Sequence, residues 1–287
     1  LMIADRAAVF VNWVYELDYE YVGCYVLIAG ILYSIELYAD FAACISISKG
    51  VANLFGIQLA DNFRHPYLAV SVKDFWHRWH ISLSEWLKDY IYIPLGGSRK
   101  GKVRTYINLA LTFLVSGIWH GAGLRFVVWG MLHAVYQIMG QLTQNLQRKA
   151  AKLTGLDRAP EAALWIRRVW TFLCVMMAWI IFRAESLRKG LKMIWSMFQV
   201  RNILIFTNDA LLGWALEWKE WVVLAVSVLI LFVVSIKQEQ GVSFSKLVFR
   251  QPVYVRWILY LIAIFGIMSF GVYGTGYDAQ AFIYGGF

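Results

Sequence analysis

Position 120 holds a histidine in the stretch Ser116-Gly117-Ile118-Trp119-His120-Gly121-Ala122-Gly123, at the end of the apolar run Ile107–Trp119. An imidazole is the side chain best suited to taking and returning a proton near neutral pH. Ionisable groups are costly at bilayer depth and usually face a cavity, a partner or a substrate path. The small residues around it (Ser116, Gly117, Gly121, Ala122 and Gly123) would let a substrate or a neighbouring helix approach the backbone. His120 is therefore the first candidate for a general base. The plainer alternative is an imidazole that only hydrogen-bonds a neighbouring helix.

Four further histidines are weaker candidates. His77 and His80 lie three apart in Phe75-Trp76-His77-Arg78-Trp79-His80-Ile81-Ser82, which on one helix puts them on neighbouring parts of a face. A third metal ligand is not evident nearby, so no metal site is expected. His77 reads as an interfacial side chain, whereas for His80 function and packing balance. His133, in Trp129-Gly130-Met131-Leu132-His133, reads as a packing residue or hydrogen-bond partner, and His65, beside Pro66, as a loop residue. Glu36 and Asp40, one helical turn apart, could bind a cation, orient an imidazole or contact a sugar hydroxyl; equally, they could pair with a basic loop residue such as Arg64.

No nucleophile elbow, phosphate loop or dinucleotide fingerprint is present. The loop Gly96-Gly97-Ser98-Arg99-Lys100-Gly101-Lys102-Val103-Arg104 is basic and turn-rich. Arg99 and Lys100 there could hold an anionic donor such as a coenzyme A phosphate, with salt-sensitive affinity. A histidine base acting on a hydroxyl fits acyl transfer: the base takes the proton while the oxygen attacks a thioester.

The elements that must position these groups are membrane helices. Of 287 residues 60% are hydrophobic and 16% charged, and the mean hydropathy is +0.56. Soluble domains run at about 45–50% apolar. Lys+Arg number 27 against 18 Asp+Glu, a formal +9. That excess reads as basic cytoplasmic loops near anionic lipid, with no nucleic-acid motif to argue otherwise. The three cysteines all lie in apolar segments and read as packing residues.

Candidate spans are Tyr21–Tyr38, Tyr106–Trp119, Phe126–Gly140, Val169–Phe182, Trp218–Ile236 and Val255–Val272. Several are shorter than the ~20 residues that cross a bilayer, which suggests re-entrant or broken helices. Ser71 as N-cap with Asp74 at the third position predicts a helix running to about Tyr92, aromatic at 3–4 spacing and lying in the interface. The stretch Leu187–Ile205 also reads as interfacial. The chain opens at Leu1, and further spans are expected upstream.

The linked motifs Asp74-Phe75-Trp76-His77-Arg78-Trp79-His80-Ile81-Ser82-Leu83-Ser84, Asp89-Tyr90-Ile91-Tyr92-Ile93-Pro94-Leu95-Gly96-Gly97-Ser98-Arg99 and Ile118-Trp119-His120-Gly121-Ala122 resemble the membrane-bound O-acyltransferase family. The resemblance is to its bacterial branch of alginate O-acetyltransferases and teichoic-acid D-alanyl transfer proteins. Support comes from Asn62-Phe63, Pro66-Tyr67-Leu68, Phe182-Arg183-Ala184-Glu185-Ser186 and the ending Phe282-Ile283-Tyr284.

The resemblance implies an all-α polytopic fold with a central tunnel or funnel, residues 1–287 forming one membrane domain of a longer protein in the bacterial inner membrane. It makes His120 the principal catalytic histidine and His80 the second. Trp79, Trp119, Asn108, Asp40, Arg78 and Ser116 become candidates for the substrate path. The donor would be acetyl-CoA or an acyl carrier protein, with no bound cofactor. The acceptor would be an exported glycan or an extracytoplasmic acetyltransferase partner. Pro94-Leu95-Gly96-Gly97-Ser98-Arg99 favours polysaccharide acetylation over D-alanylation of teichoic acid. Relatives often read Tyr-x-Asp-Phe-Ser-Gly where this chain has Tyr38-Ala39-Asp40-Phe41-Ala42-Ala43, and arginine where it has His77. Two readings of another class stand beside this one: a transporter with His120 as proton relay, and a scaffold for a glycan-export complex.

Overall fold

The computed structural model describes residues 1–17, 22–207, 211 and 215–273; Phe282-Ile283-Tyr284 lies outside them. No strand occurs among the described residues. The α-helices are α1 (Ala4–Glu16), α2 (Cys24–Leu54), α3 (Val72–Trp76), α4 (Ile81–Leu87), α5 (Lys102–His120), α6 (Leu124–Leu142), α7 (Gln144–Leu153), α8 (Pro160–Arg183), α9 (Leu187–Gln199), α10 (Trp218–Glu239), α11 (Phe244–Phe249) and α12 (Val253–Phe270). Among the described residues α2, α8, α10 and α12 are long and apolar enough to cross a membrane. The described residues fold as two compact units, those of 1–41 with those of 197–273, and residues 42–196.

In the first unit Phe10 of α1 meets Trp221 of α10 edge to face, ring centres 5.4 Å apart. Asn202 ties down the start of α2: its side-chain oxygen accepts from Cys24 N–H at 2.8 Å and its amide donates to Val22 O at 3.0 Å. α12 buries none of its residues and, apart from Arg256 near its start and Ser269 near its end, is apolar, as suits a lipid-facing span.

The second unit is built on an antiparallel hairpin of α5 and α6, with α8 and α3 packed on α6. The apolar runs predicted short, broken spans here. Instead α5 and α6 are continuous, 19 residues each, or about 28 Å at 1.5 Å per residue. Polar flanks such as Lys102–Thr105 and Gln141 complete their last turns. The two backbones touch where each helix carries a glycine. A Cβ on Gly130 would stand 2.2 Å from Phe113 O, and one on Gly117 2.5 Å from Phe126 O.

The helix expected from Ser71 to Tyr92 starts as predicted. Ser71 Oγ accepts from Asp74 N–H at 3.1 Å, and an Asp74 carboxylate oxygen accepts from Val70 N–H at 3.0 Å. It does not run through. α3 ends at Trp76, His80 takes a left-handed backbone (φ 43°), α4 follows, and Lys88–Tyr92 form a wide π turn. The break is imposed from a distance. Asn62 O accepts from Ile81 N–H at 3.1 Å, Asn62 Oδ1 from Ser82 N–H at 3.1 Å, and Arg78 O from Arg64 N–H at 2.9 Å. These bonds satisfy Arg78 O and the N–H groups of Ile81 and Ser82, which the break takes out of the helical pattern. His77 and His80 therefore share no helix face.

Candidate functional site

His120 is the last residue of α5. The helix stops because Gly121 adopts φ 153°, a conformation that L side chains rarely take. The imidazole is 3% exposed. It is boxed by Trp119, Trp129 and Phe182, at ring-centre distances of 4.8, 4.7 and 5.5 Å. Its Nδ1 lies 2.7 Å from Ser116 O. A carbonyl oxygen only accepts, so Nδ1 carries the hydrogen and donates it. In the neutral ring the lone pair is then on Nε2. One turn of α5 thus fixes both the ring orientation and the tautomer that a base needs.

His80 shares a neighbour with His120. The indole of Trp119 stands 6.5 Å from the His80 ring and 4.8 Å from the His120 ring, and is itself 54% exposed. Burial, with the charge of His120 acting in the same direction, lowers the His80 pKa from 6.5 to about 4. His80 is therefore neutral at physiological pH and sits on a backbone conformation uncommon for a residue with a Cβ.

Asn108, Thr112, Ser116 and His120 recur every four residues along α5, and all are buried. They form one polar stripe on a helix that is otherwise largely apolar. The Asn108 amide donates to Leu95 O at 3.2 Å and to Gly97 O at 2.9 Å, clamping the glycine loop to the helix. Arg99 and Lys100 are exposed on that loop.

Other predicted site residues are placed differently. Trp79 is a core residue, stacked on Phe75 at 5.5 Å and edge-on to Phe63 at 5.1 Å. Arg78 Nε donates to Asp74 at 2.9 Å, bracing α3. Asp40 lies on α2 in the other unit, and His77 is exposed at the end of α3. Gly117 and Gly121 are filled by α6: a Cβ at Gly121 would meet the Phe126 ring at 2.4 Å. Of the two uses foreseen for these glycines, the neighbouring helix has taken both.

The sequence reading missed the box around His120. Trp129 and Phe182 lie 9 and 62 positions beyond it, and only tertiary packing unites them. It also missed Arg125, whose guanidinium donates to Ala184 O and lies over the Phe126 ring at 4.6 Å, latching the start of α6 to the end of α8. A single arginine in the glycine-rich tip is the only signal the sequence offers for it.

Four helices long and apolar enough to cross a membrane, with no strand among the described residues, define an all-α polytopic membrane protein. Residues 4–183 match the membrane-bound O-acyltransferase family, and the chain belongs to that family. It is 38% identical over 198 residues to a probable alginate O-acetylase of Pseudomonas fluorescens, covering 69% of this chain and 38% of the relative. It is 35% identical over 203 residues to a peptidoglycan O-acetyltransferase of Helicobacter pylori, covering 71% and 37%. It is 34% identical over 110 residues to a teichoic acid D-alanyltransferase of Bacillus subtilis, covering 36% and 28%. The matched stretch is thus well under half the length of these relatives.

Proposed function

We propose that the protein transfers an acyl group, acetyl in the first instance, from a cytoplasmic thioester to a hydroxyl of an exported cell-envelope polysaccharide or of a relay partner. The observation that carries this reading is the His120 ring, buried, boxed by three rings and held by Ser116 O in the tautomer whose Nε2 is basic. Nε2 takes the acceptor's hydroxyl proton as its oxygen bonds to the thioester carbonyl carbon. The C–S bond then breaks, and the imidazolium returns the proton to the leaving thiolate. His80, neutral and one indole away, orients the acceptor or assists that proton transfer.

The donor enters from the basic loop. Arg99 and Lys100 meet its phosphates, and the buried stripe from Asn108 to His120 runs about 18 Å along α5, a path for the extended arm of coenzyme A or of an acyl carrier protein. The names of the relatives from Pseudomonas and Helicobacter support an acetyl group and a glycan acceptor. Residues 1–287 act as one multi-pass domain of the inner membrane with a tunnel between donor and acceptor sides, passing the group to an extracytoplasmic acetyltransferase or directly to glycan.

The test is acyl transfer in membranes containing the protein at matched expression. His120→Ala is expected to lose roughly 10²–10⁴-fold in rate; near-normal activity overturns the assignment. A second reading, D-alanyl transfer to teichoic acid, is favoured by the Bacillus relative. Turnover of a D-alanyl carrier but not of acetyl-CoA by the purified protein would select it. Solute flux with no thioester requirement would select a transporter instead.

A further inference from the structure

His133 of α6 is fully buried at 0% exposure, and among the described residues neither of its ring nitrogens has a hydrogen-bond partner. It sits in a cage of aromatic rings. Phe75 and Phe113 stack on it at 6.4 and 6.0 Å, and Trp76, Trp129 and Tyr136 stand edge to face at 5.0, 5.1 and 6.2 Å. Burying polar nitrogens without partners is unfavourable, and a phenyl ring would fill the same cage at no such cost. Packing therefore accounts for a ring here but not for an imidazole.

One of the rings that His133 meets edge to face, Trp129, also stands 4.7 Å from His120 at 66°, nearer than Trp119 or Phe182. Two imidazoles thus grip one indole. Edge-to-face pairs are held by the positive edge of one ring against the negative face of the other, and an imidazole N–H set in such an edge, open to His133 but not to His120, whose N–H goes to Ser116 O, would strengthen the contact over a C–H. Phe182 closes the group, in contact with both Trp129 (5.1 Å) and His120 (5.5 Å).

We propose that His133 is a positioning residue for the reaction, fixing the angle of the Trp129 indole and, through it, the ring of His120. This rests on His120 being the base. Small displacements of a reacting group cost rate out of proportion to the change in structure, so the effect belongs in kcat and not in donor affinity.

The experiment compares His133→Phe, Trp129→Phe and the double variant in membranes carrying the intact protein, with activity normalised to folded protein. His133→Phe is expected to lower kcat by about tenfold or more with the donor KM unchanged. The double variant is expected to be no worse than the worse single one, because both act on one contact. Full kcat per folded molecule in His133→Phe, or losses that simply multiply in the double variant, overturns the proposal and leaves His133 a packing residue. If His133→Phe does not accumulate, Trp129→Phe alone decides, since unchanged kcat in that variant is equally fatal. His120→Ala measured alongside separates the two levels. If it remains active, the base assignment fails. If it is dead while His133→Phe is fully active, only the positioning role fails.

Discussion

At the scale of the residue, the two site histidines differ in how the chain holds them. His120 is fixed by a bond from its own helix, Nδ1–H to Ser116 O at 2.7 Å. His80 is fixed by its backbone, and burial keeps it neutral, with a pKa of about 4 against an ordinary 6.5. The consequence for stability has a definite sign. Between those two values the unfolded chain binds the proton and the folded chain does not, so stability falls as pH drops through that window. Thermal melts of the detergent-solubilised protein at pH 7, 6 and 5 are expected to show a falling midpoint in the parent and a flatter series in His80→Gln. Equal slopes would mean that His80 does not titrate as described. The imidazoles themselves were legible in the sequence, because histidine beside an apolar run is rare. The left-handed turn at His80 was not, because it is dictated by Asn62 and Arg64, 18 and 16 positions earlier.

At the scale of the element, the hairpin of α5 and α6 depends on two residues without side chains. A methyl group on Gly130 would stand 2.2 Å from Phe113 O, a backbone atom that cannot swing aside. Gly130→Ala must therefore push the helices apart, at a cost of about 1–3 kcal/mol, and shift Trp129 with them. A lowered melting midpoint together with reduced acyl transfer is expected; Gly140→Ala, where nothing lies within 4 Å of the added Cβ, serves as the neutral control. The sequence foretold the two apolar runs of this hairpin, Tyr106–Trp119 and Phe126–Gly140, because hydrophobicity is a local signal. It also foretold the Ser71 cap, which needs only a three-residue spacing. It did not foretell that α2 continues to Leu54, since residues such as Ser46, Ser48 and Lys49 mask a helix that is not apolar throughout. Nor did aromatic periodicity separate Trp79, which is core, from Trp86, which is exposed; both fit one pattern until packing divides them.

At the scale of the whole molecule, charge and fold address different parts of the reaction. Basic residues recur on α7, α8 and α9, and the loop clamped by Asn108 presents Arg99 and Lys100 outward. If this loop receives an anionic donor, Arg99→Ala with Lys100→Ala is expected to raise the donor KM several-fold at low salt while leaving kcat unchanged. The difference should shrink as ionic strength passes ~0.15 M, where the screening length is about 8 Å. A salt-independent KM in the parent protein would remove the loop from the donor path. Family membership was legible from three ordered motifs, because each motif is a contiguous run of residues. The aromatic box was not, because Trp129 and Phe182 join His120 only when α6 and α8 pack on α5.

The turn at His80 makes this position answer to two separate demands, and substitution can take them apart. Asparagine and glycine accept a left-handed backbone readily, whereas glutamine does not; none of the three has an imidazole. His80→Asn and His80→Gly should therefore preserve the break between α3 and α4 while removing the ring, and His80→Gln should disturb both. In a library of variants, survival of the fold and survival of the activity would sort position 80 into different sets of permitted residues. Histidine would be the member that both sets share.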